Sequence, residues 1–188
     1  KTITVVPLPT ADAGADQIIC DRDTVTIGGT PTSSTAAVTF LWDNAASLND
    51  ATLANPLAFP STTTRYKVTV TETLTGCTDT ASVVISVNPV PVAAFTAAAV
   101  CENELTQFTD GSTIPSGAIA SWSWDFGDGV GTSIQQNPSY QYTAAGTYQV
   151  KLVLESALGC TDSITNSIVI SPKPTPAFTF VNLCENDV

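Results

Sequence analysis

The sequence predicts an all-β protein, a tandem array of Greek-key sandwiches joined by short proline-rich linkers. Three observations predict it. Landmark residues recur at one common interval, which separates Trp42 from Trp124, Asn55-Pro56 from Asn137-Pro138, and Tyr66 from Tyr148; Gly76-Cys77-Thr78-Asp79 returns one position beyond that interval as Gly159-Cys160-Thr161-Asp162. A fixed period of this length marks one structural unit used repeatedly. Between the landmarks, apolar residues alternate with Thr, Ser or Lys, the period-two signature of half-buried strands, while helical spacing is scarce. Clusters of Gly, Pro, Asn and Ser separate these runs and supply the turns.

Taken in order, residues 1–6 read as the last strand of a preceding repeat, and Val6-Pro7-Leu8-Pro9 is the first linker. The first whole repeat spans residues 10–88, with strands expected at 24–27, 39–42, 65–71 and 81–87. Asn88-Pro89-Val90-Pro91 leads into the second repeat, residues 92–171, with matching strands at 105–109, 121–126, 147–154 and 163–170. In its last two strands Tyr148, Val150, Leu152 and Leu154 share one face, and Ile164, Asn166, Ile168 and Ile170 share another. Ser171-Pro172-Lys173-Pro174 is the third linker. Residues 175–188 begin a third repeat, because Ala177-Phe178-Thr179 echoes Ala94-Phe95-Thr96 and Cys184-Glu185-Asn186 echoes Cys101-Glu102-Asn103. About seven short strands in some 80 residues fit a sandwich. Paired prolines lock their own φ and bias the preceding residue to extended backbone. Two whole repeats are therefore expected to form a stiff rod of about 70 to 80 Å.

Composition excludes several function classes. The 188 residues carry a formal charge of −11 and no histidine. So acidic a chain is repelled by phosphate backbones and anionic lipid, which argues against nucleic-acid or membrane-surface partners. Without histidine there is no Ser-His-Asp or Cys-His pair and no histidine-held metal. No apolar run approaches the roughly 18 residues of a bilayer span, so membrane insertion is not expected. Lys1 opens mid-pattern, and the chain reads as an excerpt of a longer, processed protein.

A unit this small buries only roughly 60 to 65% of its unfolded surface and needs a covalent brace. Cys20 recurs as Cys101 and Cys77 as Cys160, so the expected bridges are Cys20 to Cys77 and Cys101 to Cys160, with Cys184 left over. Buried free thiols or a thiolate-held metal are the alternatives, although the close cysteine pairs of metal sites are missing.

The stretch WSWDFGDG, Trp122 to Gly129, concentrates the candidate chemistry. Trp122, Trp124 and Phe126 fall on one strand face and read as core, and Gly127 and Gly129 frame Asp128 in a tight turn. A glycosidase pair would need two carboxylates flanking a cleft, whereas Asp125 and Asp128 belong to one turn; the Asp-Phe-Gly triplet lacks the other kinase elements. No catalytic residue is assigned. Hard oxygen ligands at Asp125 and Asp128 leave calcium open as a ligand, though EF-hand spacing is absent. Together with Asn137-Pro138-Ser139-Tyr140 and Gly146-Thr147-Tyr148-Gln149-Val150, this stretch resembles the PKD (polycystic kidney disease) domain family. The resemblance covers residues 92–171. It implies an immunoglobulin-like sandwich of an extracellular protein, used as a spacer or interaction module, some bacterial members of which bind calcium. The first repeat keeps Trp42-Asp43 but continues Asn44-Ala45, without FGDG. Residues 11–87 look instead like the immunoglobulin-like repeats of very large Bacteroidota surface proteins, gliding adhesins among them.

Thr and Ser suit the outer faces of strands. Asp23-Thr24-Val25, Asp79-Thr80-Ala81 and Asp162-Ser163-Ile164 also resemble Bacteroidota O-glycosylation sites, making Thr24, Thr80 and Ser163 candidates. Three function classes follow: a non-enzymatic tether or spacer segment of a secreted cell-surface adhesin or filament, an accessory module of a secreted hydrolase, and a self-associating structural polymer. Neighbouring repeats of the same chain are the expected partners, with a surface glycan or protein ligand left unidentified.

Overall fold

The computed structural model describes residues 8–34 and 37–179. Residues 1–6, the expected strand of a preceding repeat, lie outside the described residues, as do Cys184 and most of the expected third repeat. Thirteen strands and one 3-10 turn occur among the described residues: β1 Gln17–Cys20, β2 Val25–Thr26, β3 Val38–Trp42, the turn Ala45–Ser47, β4 Leu57–Ala58, β5 Thr64–Glu72, β6 Thr78–Asn88, β7 Phe95–Ala97, β8 Leu105–Asp110, β9 Ile119–Asp125, β10 Thr132–Ser133, β11 Ser139–Gln141, β12 Gly146–Ser156 and β13 Thr161–Ile170. The fold is all-β, as the alternation predicts. The chain divides into two compact units, residues 1–91 with 114–119 and 155–161, and residues 92–113 with 120–154 and 162–188.

In the first unit a four-stranded sheet runs β1-β6-β5-β3, with a two-stranded ladder β2-β4. β5 shows how sequence sets the layer: Tyr66, Val68, Val70 and Glu72 are buried, while Arg65, Lys67 and their alternates face solvent or the margin. Tyr66 pairs with Val83 and Val68 with Ala81 across the β5–β6 ladder, placing the apolar face of both strands on one side. Trp42, Ile27, Ala58 and Ile85 complete this core. β1 joins the far edge in parallel, Gln17 opposite Ile85 and Cys20 opposite Asn88. The Thr30-Pro31 peptide is cis.

The second set of strands repeats the plan in a sheet β10-β9-β12-β13 and a three-stranded sheet β11-β8-β7. Phe108, Trp124, Phe126, Tyr142, Val150, Leu152, Leu154 and Ile170 are buried. Both expected faces hold. Val150, Leu152 and Leu154 point inward from β12, and Ile164, Asn166, Ile168 and Ile170 are the less exposed alternates of β13.

The cysteine pairing differs from expectation. The bridge joins Cys20 to Cys160, 140 residues apart, and Cys77 and Cys101 are free. The expected bridges Cys20 to Cys77 and Cys101 to Cys160 are ruled out by the strand between their members. Cys20 sits beside Asn88 at the end of β6, whereas Cys77 directly precedes its first residue, Thr78. The length of that strand separates those ends by roughly 33 Å, against the limit of about 7 Å between bridged Cα atoms. The second repeat has the same geometry: Cys101 bridges to Ser171, just past β13, and Cys160 precedes it. Cysteines in register along the sequence thus lie at opposite poles of one sandwich.

Candidate functional site

The WDFGDG turn follows β9. Trp124 and Phe126 project into the core, and the Trp124 indole N–H donates to the Gln135 carbonyl at 2.8 Å. Trp122 departs from the expected face of three core aromatics: it is half-buried and donates its indole N–H to the Asp110 carboxylate at 2.8 Å. Asp125 Oδ1 accepts from the Gly127 amide at 2.9 Å. Asp128 Oδ1 accepts from the Val130 and Gly131 amides at 3.1 and 2.8 Å, and Oδ2 accepts from the Tyr140 hydroxyl at 2.5 Å. Gly127 and Gly129 hold φ of 79° and 84°, the left-handed region that favours glycine. At Gly127 the need is doubled, because a Cβ would stand 2.3 Å from the Gln149 carbonyl oxygen.

Electrostatics follow from these bonds. Burial pushes the Asp128 carboxyl up, but donation from Tyr140, Gly131 and Val130 outweighs it and leaves the group below its ordinary value. The Tyr140 hydroxyl, donating to Asp128, is pushed up to about 12. Burial chiefly, then the negative field of Asp128, raises Tyr142 as well, and its hydroxyl donates to the Phe126 carbonyl at 2.8 Å. Phe126, Tyr140, Tyr142 and Tyr148 touch ring to ring in sequence, with centroids 4.2 to 4.9 Å apart: the first pair is stacked, the second edge-on and the third tilted. Sequence reasoning named Tyr140 within the Asn137-Pro138-Ser139-Tyr140 stretch without a partner and missed Tyr142, which lies just past β11; their i, i+2 spacing was the available signal.

The chemistry this supports is structural. The carboxylates expected as calcium candidates are acceptors for their own loop, and Asp128 has both oxygens occupied by three donors. Among the described residues no group of three or more His, Cys, Asp or Glu side chains is placed to hold a metal ion. Asp125 and Asp128 are both exposed.

The recurring motif residues prove to be framework. Asp79 Oδ2 accepts from the Ala11 amide at 2.8 Å, and Asp162 Oδ2 accepts from the Ala93 amide at 2.8 Å. Each Gly-Cys-Thr-Asp turn therefore clasps the segment just after a linker. The two buried tryptophans donate to Leu53 and Gln135 carbonyls in equivalent positions. The two Asn-Pro steps receive the Ile27 and Phe108 amides on the Pro56 and Pro138 carbonyls. The acidic residues near the early cysteines cap those cysteines' amides, Asp23 at 3.2 Å and Glu104 at 3.4 Å. Thr24, Thr80 and Ser163 are all exposed, so each glycosylation candidate presents its side chain to solvent.

Residues 86–171 match the PKD domain family. A microbial collagenase of Vibrio alginolyticus is 43% identical over 67 residues, 36% of this chain and 8% of the relative. A Bacillus cereus collagenase, ColA, is 34% identical over 73 residues, again 8% of its length. The chain thus spans less than a tenth of either protein. Among solved structures, the PKD1 domain of the Vibrio cholerae metalloprotease PrtV is 33% identical, covering 44% of this chain and 98% of that one at a TM-score of 0.40. The first eight immunoglobulin domains of the Down syndrome cell adhesion molecule match 87% of this chain and 24% of theirs at a TM-score of 0.58 and 12% identity, a likeness of fold alone. The family match and the WDFGDG turn coincide on the same strands: residues 86–171 are a PKD domain.

Proposed function

We propose that this chain is a non-enzymatic structural and adhesive repeat segment of a large secreted cell-surface protein or extracellular filament, acting as a stiff tether or spacer. The observation that carries this reading is that what recurs between the repeats is framework: Asp79 and Asp162, Trp42 and Trp124 make the same bonds to backbone. A repeat maintained for its scaffold serves as a length of material rather than as a reaction site. The Cys20 to Cys160 bridge supports an oxidising, extracellular setting. Proline-locked linkers support stiffness. Attachment to a surface adhesin of the gliding type belongs to the same reading. Small-angle scattering of the chain tests it: a narrow maximum dimension of about 70 to 80 Å is expected, and a broad spread of shapes would overturn the tether.

A second reading, an accessory module of a secreted hydrolase, is favoured by the relatives, which include collagenases and a metalloprotease. Sedimentation of the chain with insoluble collagen separates the two. Saturable co-sedimentation supports the accessory module, and none supports the spacer.

A further inference from the structure

We propose that Cys101 and Cys77 are the two open halves of the bridge that Cys20 and Cys160 form, so that successive repeats are stapled in series, each early cysteine bonding the late cysteine of the repeat that follows. The inference stands independently of the tether reading, because it rests on equivalence of setting rather than on function.

Cys101 occupies the setting of Cys20. Cys20 lies in parallel register with Asn88 and Cys101 with Ser171, each at the exit of its repeat's last strand. The next amide donates across that pairing in both, Asp21 to Asn88 at 2.9 Å and Glu102 to Ser171 at 2.8 Å. Three residues after each cysteine an acidic residue caps the cysteine amide and returns its own amide to the cysteine carbonyl, at 3.0 Å from Asp23 and 3.2 Å from Glu104. Cys77 likewise occupies the setting of Cys160. Both follow a glycine of left-handed φ, 74° at Gly76 and 81° at Gly159, and both carbonyls accept an amide at 2.8 Å, from Glu72 and Ser156.

One matched pair is bonded and its counterparts are free, Cys77 exposed and Cys101 half-buried. Neither free cysteine has a partner within its own repeat, since a full strand separates the early and late positions. Cys101 therefore requires the cysteine of a Gly-Cys-Thr-Asp turn in a repeat after it, and Cys77 an early cysteine in a repeat before it. Cys184 repeats the Cys101 sequence and supplies the next early position. Bond formation needs a disulfide oxidant, such as glutathione disulfide or an oxidoreductase. One cysteine thiolate attacks the oxidant and releases a thiol; the second then displaces the other half. Two protein thiols lose two electrons and two protons, and the oxidant becomes two thiols.

A tandem duplication tests this, with Pro174 of one copy running directly into Thr10 of a second so that the proline register is kept. The second copy also ends at Pro174, which leaves out Cys184; the first copy carries Cys77→Ser and the second Cys101→Ser, leaving six cysteines. After oxidation in glutathione buffer the denatured chain should show no reactive thiol, and peptide mapping should join Cys101 of the first copy to Cys77 of the second. The reversed arrangement, with Cys101→Ser in the first copy and Cys77→Ser in the second, keeps the same residue types in the wrong order and should retain two thiols. Two reactive thiols in the forward chain would overturn the proposal. So would a Cys101 to Cys77 link in the reversed chain, or a Cys20 to Cys77 link in either copy of either chain.

Discussion

Asp43 and Asp125 stand at the same point after the Trp strand in successive repeats, and they close their turns by different means. Asp43 Oδ1 reaches across to the Lys67 amide at 2.7 Å, while Asn44, at φ 53°, donates to the Arg65 carbonyl at 2.8 Å. Asp125 instead accepts from Gly127, two residues on. The contact with the neighbouring strand passes to glycine backbone, since Gly127 packs against Gln149, the counterpart of Lys67. One repeat docks its turn with a side chain and the other with bare backbone. The FGDG segment is thus a second solution to a packing problem that the first repeat solves without it, and the Asp128 network braces that solution.

The largest expected effect comes from filling the close approach. Gly127→Ala adds a Cβ against the Gln149 carbonyl oxygen at a φ of 79°. It should cost the second repeat about 3 kcal/mol, from backbone strain and overlap together. Asn44→Ala removes the side-chain hydrogen bonds to the Arg65 carbonyl and to Asp43 and should cost the first about 1 kcal/mol. Denaturant melts read Gly127→Ala in a Trp42→Phe background through Trp122 and Trp124, and Asn44→Ala in a Trp122→Phe, Trp124→Phe background through Trp42. Equal costs at the two positions would break the comparison.

Next is the brace. Asp128→Ala removes three hydrogen bonds at an exposed carboxylate and should cost about 1.5 kcal/mol. It should also return Tyr140 from about 12 toward its ordinary value near 10, read by ultraviolet titration of the phenolate. The two halves of the bond act at opposite ends of the pH scale. The Asp128 carboxyl is held low in the folded protein, so its contribution is complete above about pH 4 and is lost as pH falls through the lowered value. Tyr140 is raised, so its contribution is present below about pH 10 and disappears as pH rises toward 12. If calcium holds the turn, adding it should raise Tm in the parent and not in Asp128→Ala; if the bonds suffice, Tm is the same in calcium and in chelator.

Sequence reasoning reached the fold because long strands carry their own signature. All eight runs of alternating residues became strands, β12 and β13 with the faces expected. It missed β1, β4, β7, β10 and β11, which are two to four residues long and too short for a period to register. It found the WDFGDG turn but not its partners, because nothing local ties Asp128 to Tyr140, 12 residues on. The cysteine error has a different cause. Equal spacing identifies equivalent positions, while bonding requires proximity, and a strand lying between two positions sets them at opposite poles. Asp79 and Asp162 were visible as repeats, yet the amides they clasp lie 68 and 69 residues earlier.

Those two aspartates give the smallest effect and the strictest test of equivalence. Each accepts one backbone amide at 2.8 Å from the residue that resumes the fold after a linker, Ala11 or Ala93. Asp79→Ala and Asp162→Ala should each lower Tm by about 4 °C, each in its own repeat. The corresponding Asn variants retain an acceptor oxygen and should lose less. At Asp79 the Ala11 amide, then the Thr80 amide, hold the carboxyl below its ordinary value. Its contribution is therefore complete above about pH 4 and fades as pH falls through the lowered value, so the gap between parent and Asp79→Ala should narrow as the solution is acidified below about pH 4. A framework role also predicts that the two Ala variants add without interaction, since the clasps belong to different repeats and share no bonding partner. A large effect at one site and none at the other would show that the Gly-Cys-Thr-Asp turn does different work in the two repeats.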